Sequence, residues 1–261
     1  MEQDDLAGRK VFISGATGGV GFAIAKMLAR RGATIAVTGR DAGRGEEAAA
    51  QLRELSGSCF YLQSQAADAA SAAAAVAQAA ERMGGIDTLI SAGAEGSVAP
   101  TPFADMTPDQ IASNLDTRLL ARIYPVHAAI PFLRKSDAAS VVMITTDAAR
   151  HPTPGESMIG AVGAAIILLT KALARELSRD RIRVNSVAMT ITSDTPSWDR
   201  IFARESFENR LFTKAVARFP QGRAPTADEV AQAAVFLASP AASQITGQTV
   251  SVNGGLSFGG W

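Results

Sequence analysis

Apolar residues fall along this chain in two alternating rhythms. One is a set of short, nearly unbroken runs; the other is a set of longer stretches in which they recur every three or four positions. The runs are KVFISG (10–15), TIAVTG (34–39), CFYLQSQ (59–65), DTLISA (87–92), SVVMITT (140–146), IRVNSVAM (182–189) and GQTVSVNGG (247–255). Runs so short and so apolar predict strands buried on both faces. Between them, the spacing predicts helices over 19–31, 43–56, 69–80, a long segment from 107, 157–176 and a last one from 226. Three starts carry explicit signals. Asp68 is an N-cap for the alanine-rich stretch, Thr107 and Gln110 form a capping box with Pro108 in the first turn, and Thr226 and Glu229 form another. The regular β–α alternation, with no internal repeat or flexible linker, predicts one α/β domain over 1–261: a doubly wound parallel sheet flanked by helices on both faces.

Composition narrows the class. Of 261 residues, 47% are hydrophobic, and 25 basic residues balance 25 acidic ones, so no global field favours nucleic acid or an anionic membrane. The apolar runs fall short of the ~20 residues that span a bilayer. The N-terminus, MEQDDLAGRK, is unlike a secretory signal. A cytoplasmic location and a small-molecule substrate, with no membrane or nucleic-acid partner, are expected. The single cysteine, Cys59, has no disulfide partner in the chain and reads as a buried structural thiol. No Cys/His cluster points to a metal.

The first candidate chemistry lies in SGATGGVG (14–21), between the first strand and the first helix. Gly15, Gly19 and Gly21 have G-x-x-x-G-x-G spacing, which permits a tight turn and close backbone approach, while the helix N-terminus offers free N–H groups to a pyrophosphate. A dinucleotide is therefore expected along Gly15, Thr17, Gly19, Val20 and Gly21. Arg40 follows the second strand, where a carboxylate would accept the ribose hydroxyls of NAD; a guanidinium there suits the 2′-phosphate of NADP. Arg44 is a competing cation, and NAD remains possible.

The glycine motif, SNLDT with Asn114, ARELSRDRIRVNSVA (174–188) and ADEVAQAAVFLASPAASQITGQTVSVNGG (227–255) together resemble the short-chain dehydrogenase/reductase family over essentially the whole chain. The resemblance implies a Rossmann-type fold, a nicotinamide cofactor that also meets Ala92 and Gly93, and a homodimer or homotetramer. It further implies an Asn-Ser-Tyr-Lys catalytic set. Asn114 matches the asparagine, and Thr146 falls on the serine position with its hydroxyl kept. The tyrosine position falls on Ile159 and the lysine position on Gly163, on one helix face. The register is fixed by LTKALARELSRDRIRVN downstream, and the chain's two tyrosines, Tyr61 and Tyr124, lie in other elements. SAGA (91–94), Met189-Thr190 and Gln65 also depart from the family pattern.

Reducing a carbonyl needs a proton donor within hydrogen-bond reach or one water away. The 146–157 loop offers Thr146, Asp147, His151, Glu156 and Ser157. His151 is a candidate substitute acid, although a histidine beside Pro152 reads more readily as a solvated loop residue, and Asp147 and Glu156 read more readily as turn or N-cap residues than as catalytic carboxylates. The segment PSWDRIFARESFENRLF (196–212) fits a substrate lid over about 193–220. Two readings follow: an NADP-dependent oxidoreductase acting on an unknown carbonyl or alcohol through a non-standard centre, or a catalytically silent dinucleotide-binding protein acting as sensor or subunit partner.

Overall fold

The computed structural model describes residues 6–55, 58–93 and 98–258. Each expected run contains a strand: β1 (Lys10–Ser14), β2 (Thr34–Gly39), β3 (Cys59–Gln63), β4 (Thr88–Ser91), β5 (Ser140–Thr146), β6 (Arg183–Met189) and β7 (Thr249–Val252). They form one parallel sheet in the order β3-β2-β1-β4-β5-β6-β7. The runs are largely apolar, rather than alternating, because successive side chains serve opposite layers. Val11, Ile13, Ile35, Val37, Val142 and Ile144 pack with α1 (Gly19–Arg30), α2 (Ala42–Leu55) and α9 (Ala227–Ala238). Phe12, Ala36, Leu89, Val141, Met143 and Val184 pack with α3 (Ala69–Met83), α5 (Ala121–Leu133) and α6 (Ser157–Glu176). The architecture is a Rossmann-type, doubly wound α/β fold.

The helix starts follow their local chemistry. The Asp68 carboxylate accepts from Ser71 N at 2.7 Å, and both capping boxes are formed. Cys59 is buried, and burial pushes its thiol up to about 11 against the opposing pull of Arg53, as suits a structural thiol.

Two elements differ from the sequence reading. The long helix from Thr107 is divided into α4 (Pro108–Asn114), a π-helical segment (Leu115–Leu120) and α5. Pro125 and Pro131 lie inside α5, each without an N–H to donate. The expectation that no apolar stretch reaches membrane-spanning length also needs correcting. α6 has 20 residues at a mean hydropathy of 1.9, although it packs through Val162, Ile166 and Ile167 into the protein. The expected lid region contains α7 (Pro196–Phe202) and α8 (Phe207–Val216). Trp198 packs on Phe202 with ring centroids 4.4 Å apart, and both join Ile191, Ile201 and Phe219 in a small separate core.

Candidate active site

β1 has β2 on one side and β4 on the other, and the layers of crossover helices change there. The carboxyl ends of β1 and β4 thus form the crevice where open α/β sheets receive ligands. Gly15 adopts φ 79° and packs on Gly93; a Cβ on Gly15 would overlap the Gly93 backbone. A Cβ on Gly21 would overlap the Gly15 carbonyl. The loop is folded tightly onto itself and onto the end of β4, so its amides and the α1 N-terminus face a cavity of about 580 Å³. A backbone cradle closed to any Cβ, at a helix N-terminus, fits a pyrophosphate.

Gly15, Thr17, Gly19, Val20 and Gly21 line this cavity, followed by Ala92 and Gly93 at the β4 end. Ala94, the last residue of the SAGA stretch, lies outside the described residues. Arg40 and Arg44 line the outer end. Between them, Asp41 caps α2, its carboxylate accepting from Arg44 N at 2.8 Å. Two guanidinium groups at this end suit an additional phosphate.

Thr146, Ile159 and Gly163 line the other end of the same cavity. Thr146 Oγ1 accepts from Ala148 N at 3.2 Å, which fixes its rotamer at the end of β5. Gly163 is not a vacant slot. A Cβ there would lie 2.6 Å from Thr146 Cγ2, 2.9 Å from Ala149 Cβ and 3.3 Å from Thr145 Oγ1. A Cβ on Gly160 would likewise lie 2.7 Å from the Ala148 carbonyl oxygen. The two glycines let the start of α6 press against the turn after β5.

Asn114 is 1% exposed and does not line the cavity. Its Nδ2 donates to the Gln110 carbonyl at 2.8 Å and its Oδ1 accepts from Arg118 Nε at 3.0 Å. What Asn114 orients is Arg118, which does line the cavity and also donates from Nη2 to the Val98 carbonyl at 2.7 Å.

Arg118 belongs to a group of charges that sequence reasoning did not assemble. Arg122, four residues later, donates to the carbonyls of Ile144 and Arg118, each at 2.7 Å. Burial first, and the neighbouring Arg118 charge second, lower the Arg122 guanidinium to about 10. From the lid side, Glu208 on α8 holds Arg200 on α7 through two bonds of 2.7 and 3.0 Å. Glu156, just ahead of α6, also lines the cavity; its carbonyl accepts from Gly160 N at 2.7 Å. Burial pushes the Glu156 carboxyl up to about 7, opposed by Arg118 and a Thr153 hydrogen bond and reinforced by Glu208. The usable sequence signal was SNLDTRLLAR, with two arginines at i and i+4 in a helix that is otherwise largely apolar.

The remaining loop candidates separate clearly. Asp147 is 4% exposed and spent on structure. Its carboxylate accepts from Ser251 Oγ at 3.1 Å, from Asn253 Nδ2 at 2.8 Å and from Ser257 Oγ, tying residues 251–257 to the end of β5. His151 is exposed at the cavity rim. Tyr61 is tied to the Gly39 carbonyl at 2.8 Å, far along the sheet. Of the lid aromatics, Phe212 reaches the cavity, whereas Trp198 and Phe202 pack the lid core.

Residues 15–257 match the family model described as enoyl-(acyl carrier protein) reductase. A human protein named dehydrogenase/reductase SDR family member 4 is 32% identical over 257 residues, covering 97% of this chain and 89% of its own length. Among solved structures, a short-chain oxidoreductase from Pseudomonas aeruginosa PAO1, described as containing an atypical catalytic center, superposes with a TM-score of 0.89. It shares 27% identity and covers 98% of this chain and all of its own. A short-chain dehydrogenase from Burkholderia cenocepacia J2315 in complex with NADP gives a TM-score of 0.86 at 30% identity, covering 97% of this chain and 99% of its own.

Proposed function

The chain belongs to the short-chain dehydrogenase/reductase family, and from that premise we propose that it is an NADP-dependent oxidoreductase acting on a carbonyl or alcohol through a non-standard centre. One observation carries the reading. The Gly15–Gly21 cradle, the Arg40–Arg44 end and Thr146 all wall a single cavity. A nicotinamide dinucleotide bound there supplies or accepts a hydride. Gly15, Gly19 and Gly21 hold its pyrophosphate, Arg40 takes the 2′-phosphate, and Thr146 orients the substrate oxygen. The lid over about 193–220 excludes water, with Arg200 and Glu208 clamping α7 to α8. Ile159 and Gly163 stand where the family's tyrosine and lysine would be, in keeping with the atypical centre named for the P. aeruginosa relative.

We also propose assembly as a homodimer or homotetramer through the outer faces of α5 and α6, where Leu168 is 68% exposed, and a cytoplasmic location. Fluorescence titration with NADPH and NADH, followed by turnover of an aldehyde and ketone panel, tests the main reading. Tighter binding of NADPH with turnover is expected. Absence of binding to either dinucleotide overturns it, and tight binding with no turnover across the panel favours the silent dinucleotide-binding reading.

A further inference from the structure

The centre lacks an ordinary proton donor at Ile159, yet one carboxyl lining the cavity is tied to the scaffold, among the described residues, by no more than a Thr153 hydrogen bond. Asp147 is consumed by three donors, and Glu208 is held by Arg200. Glu156 precedes Ile159 by one helical turn and shares the cavity wall with Thr146, Ile159 and Arg118. Its main chain is fixed by Thr153, whose carbonyl accepts from Glu156 N at 3.0 Å, and by the bond to Gly160. Asp147, the other acid of the loop, lines the same cavity, and what distinguishes Glu156 from it is a facing guanidinium and a carboxyl not taken up by residues 251–257.

We infer that Glu156 is the general acid/base of this site, giving a proton to the substrate oxygen in reduction and taking it back in oxidation. The assignment rests on the oxidoreductase reading above. In reduction, the carbonyl carbon accepts a hydride from a reduced nicotinamide dinucleotide, which is thereby oxidised. The C=O π pair moves to oxygen, and that oxygen takes the Glu156 proton as the acid's O–H bond breaks, giving the alcohol. The resulting carboxylate is balanced by Arg118 and regains a proton from solvent.

The carboxyl stands at about 7, raised by burial and by Glu208, and held down by Arg118 and Thr153. Arg200 faces the same group of charges from α7, and His151 lines the rim. Near neutrality the group is therefore balanced between donating and accepting.

The first test needs neither cofactor nor substrate. A carboxyl raised in the folded state keeps its proton where the unfolded chain has lost it. It therefore stabilises fully below the unfolded value of about 4.5, and that stability is lost as pH rises through about 7. The melting temperature of wild type relative to E156Q is expected to fall across that window and level off above it. In the second test, kcat for reduction of nitrobenzaldehyde by NADPH falls about tenfold per pH unit above the break. E156Q loses about 100-fold or more in kcat with NADPH affinity unchanged, and E156D retains part of the activity. E208Q moves the break to lower pH, because it removes a neighbouring negative charge and leaves Arg200 unpaired.

The assignment is overturned by any of four results: a flat melting difference, an E156Q enzyme with wild-type kcat and profile, a break that survives E156Q but vanishes in H151Q, or a wild type that binds NADPH without reducing the aldehyde. Failure to bind NADPH is a different result. It overturns the oxidoreductase reading, and the melting comparison then still judges the proton on Glu156.

Discussion

Gly163→Ala sets two known effects against each other at one position. Inside a helix, alanine is favoured over glycine by about 1 kcal/mol. Here the added carbon would sit 2.6 Å from Thr146 Cγ2 and 2.9 Å from Ala149 Cβ. Neither neighbour yields easily. Thr146 is β-branched and its hydroxyl caps the turn at Ala148, while Ala149 has no rotamer to change. Overpacking costs about 1–3 kcal/mol, and two contacts under 3 Å put this one in the upper part, at about 2–3 kcal/mol, so after the helix gain the net expectation is a loss of about 1–2 kcal/mol. Gly43, in the first turn of α2, has the same chemistry without the crowding, its nearest neighbour being Asp41 Oδ1 at 3.5 Å. Gly43→Ala is expected to gain up to about 1 kcal/mol. Urea titrations of both variants, compared at unchanged m-value, decide the matter. If Gly163→Ala is as stable as wild type, or is raised alongside Gly43→Ala, the packing account of Gly163 is wrong.

The same contact governs attempts to rebuild a tyrosine–lysine pair. Ile159→Tyr with Gly163→Lys is expected to unfold at lower temperature than wild type, and adding Thr146→Ser, which deletes the 2.6 Å contact, recovers stability and NADPH-dependent aldehyde reduction relative to the double variant. Asp147→Ala takes the acceptor from the Ser251 and Ser257 hydroxyls at about 1–3 kcal/mol each, while Asn253 Nδ2 keeps the Ser257 carbonyl, so a loss of about 2 kcal/mol or more is expected; hydrogen exchange should rise first in residues 251–257. Glu229 is held down to about 2, chiefly by its hydrogen bonds from Arg223 and then by the one from Thr226 N. Its ionised form therefore stabilises fully above about 4.5, and this is lost as pH falls through about 2. E229Q, which keeps the capping geometry but not the charge, is expected to melt slightly below wild type at pH ~7, with the gap closing in acid.

The sheet was legible because burial on both faces leaves the strands as nearly continuous apolar runs, with only small hydroxyl residues at the ends of SVVMITT, and few other structures produce such runs beside capped helices. The glycine cradle was legible for a related reason: Gly15 and Gly21 meet backbone, which restricts the residue type itself. The π segment was not. Its widening depends on how Leu115–Leu120 settles between α4 and α5, and LDTRLL would serve equally well in an ordinary helix. With it went the substrate end of the site, because Arg118, Arg122 and Asn114 all lie on or beside that segment. Asn114 was expected at the chemistry from its motif, yet its amide is bonded within its own helix and to Arg118. Motif position fixed the residue, but the direction of its side chain followed from the arginine four places on.

The face formed by Ile159 and Gly163 can be explained without invoking a site simply left empty. Had the lysine position merely lost its side chain, the space beyond Gly163 would stand open to the cavity. Instead Thr146 supplies a methyl and Ala149 a Cβ within 3 Å of where that side chain would begin, and Gly160 closes the next turn against Ala148. The helix start packs closely on the turn after β5, and Glu156, one turn earlier, lines the cavity together with Arg118. The small residues and the carboxyl then belong to one arrangement. Close packing removes the room for a tyrosine–lysine pair, and the same packing sets an acid titrating near neutrality at the substrate end. On this view the crowding at Gly163 and the proton at Glu156 are linked, so relieving the first with Thr146→Ser should also shift the pH dependence assigned to the second.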